Sequence, residues 1–148
     1  MNRRNNFTCH RKYIMKIYTL YTKMIQLWKN IILPGIIMLL LDAIFIYSNI
    51  NMFKLQVADV QRVSLQIKPL GAFLSYVFLI FGLYYFILRE HRSIIDAMIF
   101  GFVLYGVYET TTYALFKKWR IQTTVIDTLW GGTLMGLTTL ITYKLTNQ

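Results

Sequence analysis

Apolar residues fall into four blocks along this chain, and short polar stretches separate the blocks. The blocks cover residues 31–50, 69–88, 94–116 and 125–143. A helix needs about 20 mostly apolar residues to cross a bilayer core that is about 30 Å thick, and each block is close to that length. The pattern therefore predicts an all-α fold, an integral membrane bundle of four transmembrane helices.

The first 30 residues have a different pattern. In the stretch YIMKIYTLYTKMIQLWK, apolar residues recur at helical spacing with lysines between them, and no acidic residue precedes Asp42. This is typical of a basic amphipathic helix on an anionic membrane surface. We therefore predict a basic amphipathic cytoplasmic tail over residues 1–30 and a four-helix transmembrane domain over residues 31–148. The expected partners are the lipid bilayer and, for the tail, anionic lipid headgroups.

Composition supports the membrane interpretation. Hydrophobic residues make up 56% of the 148 residues and charged residues 15%, whereas soluble domains usually have about 25% charged residues. The net charge of +10 is concentrated in the tail, so we expect no nucleic-acid partner. The chain has one cysteine and two histidines, which argues against a zinc or copper site. We expect no metal site and no cofactor.

The distribution of basic residues predicts the orientation. If the four spans alternate, the seven basic residues of the tail lie on the same side as Arg89, Arg92 and Lys144, which places ten of the 16 basic residues on that side. Basic residues favour the cytoplasmic side, so both termini are predicted to be cytoplasmic. Aromatic residues expected at headgroup level are Trp28, Tyr47, Trp119 and Tyr143.

Three acidic residues interrupt the apolar blocks at a similar depth. Counted from the side of the first and third loops at 1.5 Å per residue, Asp42, Glu109 and Asp127 all lie about 10–12 Å deep. No Lys or Arg lies inside any span at that depth, so ion pairs do not neutralise all three. Intramembrane ionisable residues are functional candidates by default. We therefore predict a carboxylate-lined site in the interior of the bundle.

Polar and aromatic residues share helical faces with these acids, at about 100° per residue. The predicted substrate- or ion-binding residues are Asp42, Asn49, Tyr105, Glu109, Thr112, Tyr113, Asp127 and Trp130. No catalytic residue is assigned. The alternative is that the acids act as polar glue, hydrogen-bonded to the tyrosines and threonines among them.

Two local features carry further predictions. Asp96 lies four residues after Arg92, a spacing that predicts an ion pair between them. Gly132 and Gly136 form a small-xxx-small pair that allows close helix approach. They lie about 140° to 180° around the helix from Asp127, so we expect them to pack against a different helix from the one that this acid faces.

Three motifs resemble a known family. "LLLDAIF" at residues 39–45, "GFVLYGVYETTTYALFKKW" at residues 101–119 and "TVIDTLWGGTL" at residues 124–134 are similar to motifs of the predicted four-span membrane proteins called domain of unknown function 2177. The resemblance covers residues 36–145 and implies the four-span fold, without an activity, cofactor or partner. Where the family has aspartate and then asparagine, this chain has Glu109 and Thr112.

The sequence leaves three functions open. The first is to bind or move a proton, cation or small polar solute at the acids, because carboxylate oxygens suit protons and hard cations. Four short helices are few for a transport pathway, so this transporter would need a homo-oligomer. The second is a membrane-embedded enzyme that modifies a lipid by carboxylate acid and base chemistry. The third is a structural or interaction protein, and a non-enzymatic function is favoured over the enzyme.

Overall fold

The structure is a computed structural model that describes residues 3–147, with side chains described for residues 14–147 except residue 27. Helices account for nearly all of the described chain, which contains no strand. They are α1 Arg3–Leu27, α2 Leu33–Ser48, α3 Ile50–Gln61, α4 Pro69–Leu83, α5 Ile94–Leu115 and α6 Ile121–Thr146. Two five-residue π-helical segments, Trp28–Ile32 and Tyr84–Leu88, continue α1 into α2 and extend α4. The all-α prediction is confirmed.

Three helical stretches are long and apolar enough to cross a membrane. They are Ile14–Ser48, Pro69–Leu88 and Ile94–Leu115, and they correspond to the first three predicted spans, ending two residues early in the first and one residue early in the third. The first is 35 residues long, or about 52 Å at 1.5 Å per residue, which exceeds a bilayer core of about 30 Å. The helix that begins in the tail therefore continues into the first span, through the π-helical segment that precedes Pro34.

Helix α6 occupies the place of the fourth predicted span. It is 26 residues long, and its threonines and glycines make it less apolar than the other three. It packs against α2, α3 and α5, so much of its surface faces protein. Some of its threonine hydroxyls donate to carbonyls one turn back, as Thr142 does to Thr138 O at 2.7 Å and Thr146 to Thr142 O at 2.8 Å, which satisfies them within the helix. The buried hydroxyls of Thr128, Thr138 and Thr139 have no hydrogen-bond partner among the described residues.

Helices α5 and α6 pack more closely than any other pair because glycines remove the side chains between them. Gly132 lies 3.1 Å, measured from an ideal Cβ, from the Met98 carbonyl oxygen, and Gly136 lies 3.8 Å from Cγ2 of Ile94. Both contacts are on α5, which also carries Glu109, the neighbour of Asp127. The prediction that Gly132 and Gly136 pack against a different helix from the one that Asp127 faces is wrong, because α5 runs along α6 for most of its length.

Asp96 does not form the predicted ion pair with Arg92. Its carboxylate accepts hydrogen bonds from the Ser93 backbone N at 3.2 Å and the Ser93 hydroxyl at 2.9 Å. In return, the Asp96 backbone N donates to the Ser93 hydroxyl at 3.1 Å. This capping box satisfies donors that a helix start leaves without partners, and it fixes the first turn of α5.

The first loop contains a helix, α3, that is attached to the start of α6. Gln56 of α3 is 1% exposed, and its side-chain amide donates to the Lys118 carbonyl at 3.1 Å. Its carbonyl oxygen accepts from the Arg120 backbone N at 3.1 Å and from the Thr123 hydroxyl at 3.2 Å. Arg120 also pairs with Asp59. The first and third loops are therefore fixed to each other on one side of the bundle.

Replacing Gln56 with alanine is expected to release α3. The substitution leaves the Lys118 carbonyl and the Arg120 N–H without their partner, at a cost of about 1–3 kcal/mol for a buried unsatisfied group. In detergent, hydrogen exchange should become faster for the backbone amides of α3 and for those at the N-terminal end of α6. Gln61, an exposed glutamine on the same helix, gives the control, and equal exchange in Gln56→Ala and Gln61→Ala would contradict the attachment.

The apolar core lies toward the end of the bundle that carries the turn at residues 89–93. Its buried residues come from α2, from α4 and its π-helical extension, and from α5 and α6, and they are Met38, Leu83, Ile87, Leu88, Ala97, Leu134 and Met135. Tyr76, Tyr105 and Trp130 pack against this cluster. These three residues form the border between the apolar core and the layer that contains the acids.

Candidate functional site

Asp42 lies between three helices and has a partner for each carboxylate oxygen. It is 8% exposed. The Tyr76 hydroxyl of α4 donates to Oδ2 at 2.6 Å, and Nε1 of Trp130 of α6 donates to Oδ1 at 2.8 Å. The Trp130 ring stacks on Phe45, with centroids 4.3 Å apart and planes at 6°. Asp42 therefore connects α2, α4 and α6 through two side-chain hydrogen bonds.

Glu109 is the most deeply buried acid of the three. It is 2% exposed, and its Oε2 accepts a hydrogen bond from Nε1 of Trp119 at 3.0 Å. Trp119 lies in the short connection between α5 and α6, so this bond ties the connection to the interior. A neutral donor does not cancel a carboxylate charge, and Glu109 needs a further partner if it is ionised.

Asp127 of α6 supplies a second carboxyl group beside Glu109. The two side chains are close enough to share a hydrogen bond, and Asp42 is the next acid within electrostatic range of Asp127. Two neighbouring carboxylates cannot both remain charged at low cost. This pair is therefore stable when it holds one proton between the two groups or when a cation lies against them.

Tyr105 completes the interior face of this layer. Its hydroxyl is within electrostatic range of Asp42, Asp127 and Tyr76. The ring lies directly over Gly131, where an ideal Cβ would be 2.6 Å from the Cβ of Tyr105. Only a residue without a side chain at 131 leaves room for the tyrosine, which explains why a glycine follows Trp130.

Three of the predicted site residues are not brought to the acids. The Asn49 amide donates to the Phe45 carbonyl at 3.0 Å, at the end of α2. The Thr112 hydroxyl donates to the Tyr108 carbonyl at 2.7 Å. Tyr113 is 47% exposed. Among the described residues, Asp42 and Glu109 accept hydrogen bonds from Tyr76, Trp119 and Trp130 instead. The hydrogen bonds to the other tyrosines and the threonines that the polar-glue hypothesis expected are not formed there.

Two of the contacting residues were not among the predicted site residues. Trp119 was predicted to lie at headgroup level. Its short separation of ten residues from Glu109 was the only sequence feature that indicated a contact. Tyr76 is 34 residues from Asp42 and has no acid near it in the sequence. The only signal for Tyr76 was a hydroxyl inside an otherwise apolar span.

No basic side chain is available within the layer. Helices α2, α4 and α5 contain no Lys or Arg, and the basic residue of α6, Lys144, is near its end. Within residues 14–147, the two ion pairs are Arg89 with Glu90 at 3.4 Å and Arg120 with Asp59, both outside the layer. Among these residues no group of three or more His, Cys, Asp or Glu side chains is arranged to hold a metal ion.

A groove of about 860 Å³ leads from the surface of the bundle to Asp127. It lies between α4 and α5, with Ile46 of α2 at one side, and we refer to it as the α4–α5 groove. Its volume is within the range of small-molecule sites, about 300–1,000 Å³. Most lining residues are aliphatic or aromatic, so the groove connects a polar site to a surface that lipid covers.

Comparison with known proteins gives one match. The family model described as "Predicted membrane protein (DUF2177)" matches residues 27–144. The matched region includes all three acids and begins nine residues before the predicted resemblance. No curated protein and no solved structure matches the chain.

Proposed function

The chain belongs to the DUF2177 family of predicted membrane proteins, and from the geometry of its acids we propose that it binds and moves a proton or small cation within the membrane. The site is the pair Glu109 and Asp127. The observation that carries the proposal is that these carboxyl groups, from two different helices, lie beside each other and have no basic partner among residues 14–147.

The energetics favour a bound positive charge. An ionised acid at the centre of a span costs about 2.5–3.5 kcal/mol even on the mildest scales, and repulsion adds to this when two acids are adjacent. One proton or monovalent cation held by Glu109 and Asp127 neutralises one of the two carboxylates and relieves the repulsion between them. Such a site changes its charge when it is loaded and unloaded, as proton relays in membrane transporters do.

Hydroxyl groups extend from the pair toward α4. Tyr105 lies within electrostatic range of both Asp127 and Asp42, and Tyr76 donates to Asp42. A phenolic hydroxyl both donates and accepts hydrogen bonds, so it suits a proton relay. A relay from Glu109 to the α4 side of the bundle would pass through the Tyr105 and Tyr76 hydroxyls.

Flux through proteoliposomes tests the proposal. With a pH-sensitive dye or a cation-sensitive dye inside, purified protein should dissipate an imposed proton or cation gradient faster than protein-free liposomes do. Glu109→Gln should reduce this flux to the protein-free rate, because an amide keeps the shape and cannot bind the charge. The two dyes separate a proton from a cation.

Glu90→Gln is the matched control, since Glu90 lies in the exposed turn after α4 and pairs with Arg89. It should leave the flux unchanged. Wild-type flux in Glu109→Gln reconstituted at equal density would overturn the proposal.

A second function is favoured by the α4–α5 groove, which opens Asp127 to lipid. Two acids in different environments can divide the roles of acid and base, so we propose, as the alternative, proton-transfer chemistry on a lipid such as isomerisation. Lipid profiles of membranes containing wild-type protein or Asp127→Asn test this. A lipid species that changes only with the wild type supports the enzyme, and identical profiles contradict it.

The proposed orientation has both termini in the cytoplasm. It is supported by the excess of basic residues on the side of the tail. The tail then faces the anionic cytoplasmic leaflet, where its lysines and arginines bind lipid headgroups. A second copy of the chain would widen a transport pathway that four helices form only narrowly, so the transporter is proposed to act as a homo-oligomer.

A further inference from the structure

The α4–α5 groove exists because two consecutive helices diverge. Helix α4 packs against α2, and α5 packs along α6, while α4 and α5 are not among the closely packed pairs of the described helices. Their shared connection, at residues 89–93, holds them together at one end only. The space between them is therefore open to the lipid along one side.

The two ends of the groove differ in chemistry. One end is closed by Phe86 and Phe100, whose ring centroids are 5.5 Å apart, next to Gly82, where an ideal Cβ would be 3.0 Å from the Phe100 ring. The other end contains Ser75 and Asp127. The groove is thus an apolar channel with a carboxyl group at one end.

We propose that the α4–α5 groove binds a lipophilic amine from the bilayer, with its apolar chain along the groove and its ammonium group at Asp127, the acid of the pair that lines the groove. This inference rests on the proposed function, because the head of the ligand occupies one member of the same pair of acids. It adds a ligand class and a route of entry, from the membrane rather than from water.

Charge decides which head group fits. An ammonium group donates hydrogen bonds and neutralises one carboxylate, and helices α2, α4, α5 and α6 have no basic residue at this depth to do so. A phospholipid would bring an anionic phosphate toward Asp42, Glu109 and Asp127, and like charges in a medium of low dielectric constant repel strongly. A fatty acid would add another carboxylate, and an alcohol would leave the charge of the pair unchanged.

Shape decides the rest of the ligand. From Ser75 to Phe86 the wall of α4 rises by about 16 Å at 1.5 Å per residue, which suits one extended alkyl chain. The lining is aliphatic and aromatic along this length, with exposed Phe78 and Leu104 facing the bilayer side. Burying an alkyl chain there is favourable when the chain comes from water and contributes little when it comes from lipid.

Because apolar contacts differ little between lipid and groove, the acid pair should decide the affinity. Saturable binding of radiolabelled dodecylamine is measured on protein in phosphatidylcholine nanodiscs, with empty nanodiscs subtracted. We expect displacement by unlabelled dodecylamine and none by dodecanol or laurate. Asp127→Asn should remove the saturable binding, while Glu90→Gln should retain it.

Filling the groove tests the route. Leu104→Trp places a large ring in the groove, whereas Leu115→Trp places the same ring on exposed α5 surface outside the groove lining. Only the first should abolish dodecylamine binding. Equal binding in both variants would overturn the proposal, as would equal displacement by dodecanol, which would make the occupant an ordinary lipid chain. A third outcome is that the protein binds no amine saturably but forms dimers, and that Leu104→Trp dissociates these dimers. In that case a second copy of the chain, and not an amine, occupies the groove.

The two proposals fail separately. If Glu109→Gln abolishes flux and dodecylamine does not bind, the groove proposal is wrong and the ion site stands. If dodecylamine binds and Glu109→Gln leaves flux unchanged, the acids hold a ligand without conducting. In that case the proposed transport function is wrong.

Discussion

Gly101→Ala is expected to destabilise the bundle by about 1–3 kcal/mol, the usual cost of overpacking a close-packed interior. An ideal Cβ at residue 101 would be 2.6 Å from Cγ of Met135 and 2.8 Å from the carbonyl carbon of Gly131. The second neighbour is backbone of α6, which cannot rotate away as a side chain can. Helices α5 and α6 would have to separate along the interface that holds Glu109 beside Asp127.

Gly71→Ala is the matched control, since nothing lies within 4 Å of an ideal Cβ at residue 71. Alanine is favoured over glycine in a helix by about 1 kcal/mol, so this variant should be at least as stable as the wild type. Unfolding in mixed micelles of mild detergent and increasing dodecyl sulfate, followed by circular dichroism, measures both. A Gly101→Ala midpoint equal to that of Gly71→Ala would show that the helices do not approach this closely.

Asp42→Ala is expected to cost about 2 kcal/mol or more, because each buried group left without a partner costs about 1–3 kcal/mol. The substitution removes the acceptor for both the Tyr76 hydroxyl and the Trp130 indole N–H. Inside a bilayer core, water does not replace an acceptor that is lost. The same unfolding measurement should show an earlier midpoint, and the near-ultraviolet signal of Trp130 should change with it.

Asp42→Asn separates a structural role from an ionic one. Its side-chain oxygen can still accept one of the two hydrogen bonds, so we expect stability between that of Asp42→Ala and the wild type. If Asp42→Asn and Asp42→Ala are equally unstable, a charged acceptor is required. If both equal the wild type, the two hydrogen bonds contribute nothing, and the connection of α2, α4 and α6 through Asp42 is wrong.

These bonds divide the acids into two kinds. Asp42 has a donor for each oxygen and satisfies the polar-glue hypothesis by itself, although its partners are Tyr76 and Trp130 rather than those expected from sequence. Glu109 and Asp127 face each other, and repulsion between like charges would weaken the bundle if nothing bound there. The structural hypothesis therefore accounts well for the first acid and poorly for the pair.

The wrong predictions share a cause. Asp96 and Arg92 have the correct spacing for an ion pair, but the nearby Ser93 offers Asp96 both a hydroxyl and a helix start to cap. The neighbour of Gly132 was inferred from its angle around one helix, as if each face met a different helix. Competing partners and the course of a neighbouring helix are not contained in spacing along one chain segment.

Sequence alone determined that this is a helical membrane protein and where its apolar segments lie, and it predicted that three acids share one depth. It could do so because the bilayer imposes a length and a polarity on every span, and both are read along the chain. Tertiary structure decided that Glu109 meets Asp127, that Asp42 binds Tyr76 and Trp130, and that α4 diverges from α5. Rotation and tilt of each helix depend on packing against its neighbours, and distant residues such as Gly101 and Gly131 set that packing.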